Sequence, residues 1–346
     1  MNTADEYFMQ RCFDLALLGA GRTAPNPMVG AVIVHRGRII GEGYHRAYGQ
    51  PHAEVNAVES IAPQDRHLLR ESTLYVSLEP CNIHRNTPPC TLLILKEGIS
   101  RVVVSCLDRT PGVNGSGLER LRKAGVEVKA GVLQEQGQRL SAMRNCFVTE
   151  QRPYLLLKFA QSANGIFAPS DNRQLWLTHD RTRRLVHKWR SASPAIWVGA
   201  NTALADDPQL TNRYYYGPSP LRVIYDRAGN LPKNLKLFSD GHPTLLFLGR
   251  PSQDQYGPEV TVEQVPDQAD PIEYMLNRLA ALQISTLMVE GGIHTLNNLL
   301  KRGLWDEARV LTAAKHVTPG RPAPQLPHPP AASYHLHGDR IDLFFR

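Results

Sequence analysis

What most constrains this chain is an alternation of strand and helix signals that stops near Glu150-Gln-Arg-Pro153 and starts again at Tyr154. Before the break, Phe8, Cys12, Leu15 and Ala16 fall at helical spacing. Ala24-Pro-Asn-Pro27 lies beyond that helix, Met28–Val34 reads as a buried strand, and Gly37 turns the chain into a second strand over Arg38–Gly43. Helices are expected over His52–Ile61, Thr91–Lys96 and Leu118–Ala124, and strands over Leu74–Leu78, Arg101–Ser105 and Val126–Lys129. A chain of this kind buries its apolar faces as a sheet covered by helices, a three-layer α/β unit. After the break, strands are expected at Tyr154–Phe159, Ala195–Val198, Leu221–Tyr225, Thr244–Leu248 and Thr286–Val289, and helices at Arg181–Trp189, Pro271–Leu282 and Thr295–Lys301. The stretches 250–270 and 318–334, rich in Pro with Gln and Asp or His, read as surface loops. The 346 residues therefore divide into two expected domains, 1–150 and 151–346, each long enough to bury its own core without disulfides.

Composition narrows the class. Apolar residues make up 42% and charged residues 21%, as in ordinary soluble domains, and no apolar run approaches the ~18 residues of a membrane span. The acidic, polar start Met1-Asn-Thr-Ala-Asp-Glu does not read as a secretory signal. Five irregularly spaced cysteines do not read as a disulfide framework, so a reduced, cytoplasmic protein is expected. The formal charge of +7 is scattered, with only short clusters such as Arg181-Thr-Arg-Arg184 and no interleaved aromatic stripe. It favours anionic ligands without fixing their size.

The strongest chemical signal is Pro51-His52-Ala53-Glu54 followed by Glu79-Pro80-Cys81 and Pro88-Pro89-Cys90. One imidazole and two thiolates, from His52, Cys81 and Cys90, fill three corners of a zinc tetrahedron, and a catalytic zinc keeps the fourth for water. Bound zinc lowers the pKa of that water toward ~7. Glu54, at the first turn after Pro51, can tilt toward the same pocket as His52 and carry protons from the water to a leaving amine. Each cysteine follows a proline and is expected to open a helix whose N-terminal field favours thiolate. A closed structural zinc site would need a fourth ligand, with His84 as the obvious candidate.

This order matches the zinc nucleobase deaminase pattern, H-x-E with a later P-C-x-x-C, except that eight residues separate the cysteines here. The interval Cys81-Asn-Ile-His-Arg-Asn-Thr-Pro-Pro-Cys90 resembles the deaminase half of the bifunctional riboflavin-biosynthesis enzymes. Asn26-Pro27, Val29-Gly30, the His52-Ala-Glu54 triplet and Gly115-Ser-Gly117 before a helix share that resemblance. Arg85 stands where that family usually has Gly, and Asp108-Arg-Thr-Pro111 is a variant of Asp-Pro-Asn-Pro.

The second half lacks G-x-G-x-x-G. It carries Lys158-Phe-Ala-Gln-Ser-Ala-Asn-Gly165, Trp176-Leu-Thr178, Gly199-Ala-Asn-Thr202 leading to Asp206-Asp-Pro-Gln-Leu-Thr211 and Arg213, and Val289-Glu-Gly-Gly292 between a strand and a helix. A glycine turn there lets backbone N–H groups approach phosphate. In this order the clusters resemble the reductase domain of the same family, with Asn164 where Asp is common and no glycine-rich ending after Ala313. The resemblance implies a cytidine-deaminase-like domain followed by a dihydrofolate-reductase-like domain, with Zn2+ and NADPH as cofactors. It implies that Ala160, Trp176, Thr202, Asp206 and the turn from Gly292 contact NADPH. Gln174, Arg190, Leu210, Arg213 and Glu290 would hold the substrate, the arginines on its ribose phosphate.

The implied reactions are zinc-dependent hydrolytic deamination of 2,5-diamino-6-ribosylamino-4(3H)-pyrimidinone 5′-phosphate and NADPH-dependent reduction of the ribosyl to the ribityl chain. The expected partner is thus a small phosphorylated pyrimidine, with no nucleic acid and no membrane, and the chain is expected to form a homo-oligomer. The competing reading is a tRNA-type base deaminase with an accessory binding domain. It predicts the short cysteine spacing and basic or aromatic patches, and the sequence has neither.

Overall fold

The computed structural model describes residues 3–84, 88–170, 175–252 and 255–346 and forms two units, Met1–Arg152 and Pro153–Arg346. The first contains α1 (Ala4–Leu17), β1 (Gly30–His35), β2 (Arg38–Tyr44), α2 (Ala53–Glu59), β3 (Thr73–Leu78), α3 (Cys90–Glu97), β4 (Arg101–Cys106), α4 (Ser116–Lys123), β5 (Glu127–Ala130), α5 (Gln134–Leu140) and α6 (Ala142–Thr149). Its sheet runs β2-β1-β3-β4-β5, with β3, β4 and β5 parallel and β1 antiparallel to both neighbours.

Strand pleating sorts this unit into three layers. Ala31 and Ile33 of β1, Leu74 and Val76 of β3, and Val102 and Val104 of β4 face a core made with Ala57, Ile94 and Leu121 from α2, α3 and α4. The alternate residues Val32, Val34, Tyr75 and Val103 face Phe8, Met9, Cys12 and Phe13 of α1. Covered on both sides, β1 is buried at every position, which is why it reads as a continuous apolar run. Close approach sets two glycines. A Cβ on Gly30 would lie 2.0 Å from the Cys12 carbonyl oxygen, and one on Gly43 would lie 2.3 Å from the Ala57 nitrogen. The helices on the two faces thus sit on bare backbone. At the start of α1, Thr3 accepts from the Glu6 N–H while Glu6 accepts from the Thr3 N–H, a reciprocal capping box.

The second unit contains β6 (Tyr154–Gln161), β7 (Ile166–Pro169), α7 (Asp180–Ala192), β8 (Ala195–Gly199), α8 (Ala200–Asp206), β9 (Leu221–Asp226), α9 (Lys236–Ser239), β10 (Thr244–Leu248), β11 (Val260–Gln264), α10 (Pro271–Ala281), β12 (Thr286–Val289), α11 (Ile293–Lys301), β13 (Glu307–Thr312), β14 (Gly320–Pro322), β15 (Ala332–Leu336) and β16 (Asp339–Phe345). Its large sheet is ordered β11-β10-β9-β8-β12-β6-β13-β16-β15, and β14 pairs with β7 separately. Neighbours are parallel from β11 through β13, and β16 then runs antiparallel to both β13 and β15. Helices α10 and α11 cover one face, around Leu155, Leu157 and Leu287. Helices α7, α8 and α9 cover the other, around Leu156, Ile196 and Met288.

Two loop expectations are corrected. The 250–270 stretch contains edge strand β11, and 318–334 contains β14 and the start of β15. Both β11 and β15 expose most of their residues, so neither shows the apolar run that marks a buried strand.

Candidate functional site

In the first unit, the candidate metal-binding set forms where α2 begins. His52 is the extended N-cap of α2, with φ −71° and ψ 167°, and Glu54 lies in its first turn. The pair escapes the divergence that a two-residue spacing would have in mid-helix, and both side chains line one cavity of about 370 Å³. Cys90 begins α3 behind Pro89, as expected. Cys81 opens no helix. It lies where the chain leaves β3, and the α3 N-terminus reaches it instead, the Cys90 N–H donating to Cys81 Sγ at 3.3 Å. The Cys81 thiol is pulled down to about 4, first by its hydrogen bond with Cys90 and then, against burial, by His52. Thiolate is the metal-binding form.

The donor spacing fits zinc. His52 Nδ1 lies 3.3 Å from Cys90 Sγ and 3.6 Å from Cys81 Sγ. Zinc arms of ~2.0 Å to nitrogen and ~2.3 Å to sulfur, at a tetrahedral angle, place N and S roughly 3.5 Å apart. Among the described residues this cluster contains no fourth His, Cys, Asp or Glu, and His84 is outside it. A closed four-ligand site therefore lacks its last corner. Glu54 is 4% exposed, and burial raises its pKa. Arg85 lies outside the described residues.

Glu79 ties the cavity together. Its carboxylate accepts the backbone N–H groups of Asp108, Gly115 and Gly117, which joins the end of β3 to the loop before α4. A Cβ on Gly117 would lie 2.4 Å from the Pro80 carbonyl oxygen, so the two segments meet backbone to backbone. Glu79→Ala would leave three inward-facing donors without their acceptor. At ~1–3 kcal/mol each and less than additive, we expect a loss of about 3–5 kcal/mol. Denaturant unfolding of the full chain checks this, with Glu79→Gln expected to recover part of the loss.

In the second unit, Glu290 follows β12 and is buried in a charged cluster. Arg190, near the end of α7, donates through Nε and Nη2 to its two oxygens at 2.8 and 2.9 Å, and Lys158 Nζ of β6 lies 3.3 Å away. Burial alone would raise the Glu290 pKa, but Arg190 and Lys158 hold it well below the usual carboxylate range. Arg190 also donates to the Thr211 carbonyl at 3.2 Å. The fully buried Arg222 donates to the Gln209 carbonyl at 3.2 Å. Between these clamps Leu210 is held at φ +57° with its side chain buried. For a branched residue this is a strained conformation, of a kind that concentrates at functional sites.

Arg213 is exposed, and its backbone N–H donates to His187 Nδ1 at 2.9 Å. Burial, then the charges of Arg190 and Arg213, hold His187 down to about 4, so it is a neutral acceptor. Of the residues expected to contact NADPH, Gly292 and Thr202 approach closely: a Cβ on Gly292 would lie 2.5 Å from Thr202 Oγ1, which places the N-terminal turns of α8 and α11 side by side. Trp176 is 57% exposed under the Arg183 guanidinium, at 4.8 Å. Ala160 lies on β6 and Asp206 ends α8. Gln174 lies outside the described residues. Asn164, the departure from Asp, accepts the Val317 N–H at 3.1 Å and donates to the Val317 carbonyl at 2.9 Å. A carboxylate could not make the second bond.

Residues 2–106 match the family described as cytidine and deoxycytidylate deaminase zinc-binding region, and residues 153–330 match the RibD C-terminal domain. The chain is 37% identical over 319 residues to the riboflavin biosynthesis protein RibD of Aquifex aeolicus, covering 91% of this chain and 88% of that protein. The chain belongs to the RibD family. RibD of Escherichia coli K12 is 34% identical over 332 residues, covering 90% and 88% of the two chains. The crystal structure of a diaminohydroxyphosphoribosylaminopyrimidine deaminase/5-amino-6-(5-phosphoribosylamino)uracil reductase from Thermotoga maritima has a TM-score of 0.88 and 36% identity, covering 98% of both chains. Acinetobacter baumannii RibD follows at a TM-score of 0.86 and 31% identity, covering 99% of this chain and 98% of that one. As a RibD family member the chain has the expected fold class, a cytidine-deaminase-type unit followed by a reductase unit.

Sequence reasoning left several residues at these RibD sites without a role. Asn26 and His45 line the deaminase-type cavity, and His45 Nδ1 lies 3.1 Å from the Pro51 carbonyl, which only accepts. That nitrogen therefore carries the proton, and Nε2 accepts from the Asn26 amide at 3.1 Å. Asn26 Oδ1 is then the part of the amide that can serve a ligand. Lys158 opens the Lys158–Gly165 segment, and its 3.3 Å contact with Glu290 joins it to the charged cluster.

Proposed function

We propose that this chain carries out two consecutive steps of riboflavin biosynthesis. The first is hydrolytic deamination of 2,5-diamino-6-ribosylamino-4(3H)-pyrimidinone 5′-phosphate, and the second is NADPH-dependent reduction of the ribosyl group to ribityl. The observation that carries the reading is the set of His52, Cys81 and Cys90 donors at zinc spacing with buried Glu54 in the same cavity, in a chain whose second unit matches a reductase domain. That second match also disfavours a nucleic-acid deaminase with an accessory binding domain.

His52, Cys81 and Cys90 would hold the zinc, which when bound supplies an activated water in the deaminase cavity. Glu54, in the same cavity, would carry a proton to the departing amine. Burial suits it to the task, because it raises the carboxyl pKa and so makes the carboxylate a better proton acceptor. In the second unit, Ala160, Trp176, Thr202, Asp206 and the turn at Gly292 would hold NADPH, which supplies the hydride. Glu290, Leu210 and Gln174 would position the sugar. Arg190 fixes Glu290 by its paired bonds, while the exposed guanidinium of Arg213 is the one suited to the ribose phosphate. Reduction also requires a proton on the sugar oxygen, and Lys158, 3.3 Å from Glu290, would be its donor. Among the described residues no helix is long and apolar enough to cross a membrane, and none of the five cysteines is in a disulfide.

Zinc-loaded full chain incubated with the diaminopyrimidinone phosphate should release ammonia and give a product with one amino group exchanged for oxygen. Adding NADPH should add two hydrogens to that product. Mass spectrometry reads both steps, and a substrate left unchanged under both conditions would refute the reading.

A further inference from the structure

The carboxyl edge of the first unit's sheet carries a second cavity, of about 780 Å³, and none of the candidate site residues lines it. It opens where the parallel strands β4 and β5 end, at Ser105, Cys106, Ala130 and Gly131. Crevices at the carboxyl ends of parallel strands are where open α/β sheets bind ligands, and the volume is that of a small-molecule site. The segment between β4 and α4 is a wall shared by both cavities. It gives Asp108, Thr110 and Val113 to the deaminase-type cavity and Leu107, Arg109 and Asn114 to this one.

The two cavities differ in charge. Glu54, Glu79 and Asp108 line the first, whereas no Asp or Glu among the described residues lines the second. Arg109 and, from α4, Arg122 line it instead, both exposed. Neither guanidinium is in a hydrogen bond or salt bridge among the described residues. Gln134 and Gln138, one turn apart on α5, add neutral donors and acceptors. Helix α5 is pressed onto the end of β4, where a Cβ on Gly137 would lie 2.1 Å from Ser105 Oγ. Asn145 of α6 completes the set, and its Oδ1 is buried without a hydrogen-bond partner. A buried acceptor with no donor costs free energy that a ligand N–H would recover. Leu107, 43% exposed, gives the same lining an apolar surface.

We propose that this cavity is a second ligand site of the first unit, one that takes a phosphorylated nitrogen heterocycle of mononucleotide size. Arg109 and Arg122 take the phosphate, Asn145 Oδ1 accepts a ring N–H, and Leu107 meets the face of the ring. The site does not depend on the deaminase reading. A ligand held there fastens the 107–115 segment from its other side, and the N–H groups of Asp108 and Gly115 in that segment hold Glu79. Occupancy of this cavity is thus linked to the state of the first.

Uridine 5′-monophosphate is the probe, because it joins a phosphate monoester to a ring N–H, while inorganic phosphate and uridine carry one each. Hydrogen–deuterium exchange of the zinc-loaded full chain locates the binding, since α5 lines this cavity and not the other. Millimolar uridine 5′-monophosphate should slow exchange over residues 134–145 in wild type. Titration of that protection should give a dissociation constant roughly tenfold to a hundredfold below that of uridine, the size of one charge-assisted contact. Substituting both arginines, Arg109→Ser with Arg122→Ser, should raise the constant to that of uridine. Asn145→Leu should weaken the mononucleotide by about tenfold and leave inorganic phosphate unchanged. Residues 107–117 should gain a protection in wild type that the double variant does not show.

Unchanged exchange over 134–145 would overturn the site, as would protection that survives the double substitution. Equal affinity for uridine and its monophosphate would overturn the ligand class. Protection of 134–145 with none at 107–117 would overturn the link to the first cavity. Should the double variant fold poorly, the comparison of uridine with its monophosphate on wild type decides.

Discussion

Glu54→Gln should lower ammonia release by ~10²–10⁴-fold while leaving the rest of the chain almost untouched. The substitution keeps the size of the side chain and removes its ability to carry a proton. Glu54 is outside the metal-ligand cluster, so zinc content should stay near wild type. Stability should hold or rise slightly, because the site no longer has to bury a carboxylate that burial disfavours. Reduction of pre-deaminated substrate should continue, since that chemistry is assigned to the second unit. Zinc content, ammonia release and NADPH oxidation with supplied intermediate are the three measurements. Near-normal ammonia release would remove Glu54 from the mechanism, and zinc loss would recast it as a ligand.

The second large effect is on metal content. Wild type should carry about one zinc per chain, and Cys90→Ser or Cys81→Ser should reduce this to a small fraction. Removing one of three ligands sacrifices a large share of a binding free energy that reaches ~10–16 kcal/mol in closed zinc sites. Deamination should disappear with the metal. Cys12, Cys106 and Cys146 are buried elsewhere in the first unit. Burial pushes the Cys106 thiol up to about 11 and raises Cys12 further, so both stay protonated at neutral pH and make poor ligands. Serine at either of those positions should therefore leave zinc unchanged. Zinc loss from Cys106→Ser with retention in Cys90→Ser would move the metal site.

The His52, Cys81 and Cys90 cluster was legible because the identity of its residues carries the chemistry. Imidazole and thiolate ligands and a nearby carboxyl are recognisable by residue type, even when the fold that gathers them is not yet known. The strands buried on both faces were legible for a different reason, since such burial leaves short apolar runs such as Ala31–Val34 and Leu155–Leu157. What stayed hidden was polar in sequence and either exposed or satisfied in the structure. Helix α5 buries only Gly137, so its sequence shows no apolar face. Strand β16 contains two buried aspartates that interrupt its pattern. Asp339 accepts the His179 N–H at 2.8 Å, and Asp342 accepts from Ser333 Oγ at 2.6 Å and from Arg340. A satisfied buried charge and a loop residue look alike in one dimension. Arg144 of α6 was hidden by distance along the chain, because nothing in its own segment announces the deaminase-type cavity that it lines.

The place of β16 has a consequence for how the protein is made. The sheet of the first unit has all five of its strands once β5 is synthesised, so it can close while the rest of the chain is still emerging at ~5–20 residues per second. The second unit has no such head start. Its β16 comes after every other strand in the chain yet lies inside the sheet, between β13 and β15, with Ile341 fully buried. Until it arrives, β13 has a bare edge and β15 lacks the strand that it pairs with. An open edge is a template for pairing with other chains. Newborn polypeptides stalled before Asp339 should therefore aggregate through their second half, while those released after Arg152 stay dispersed.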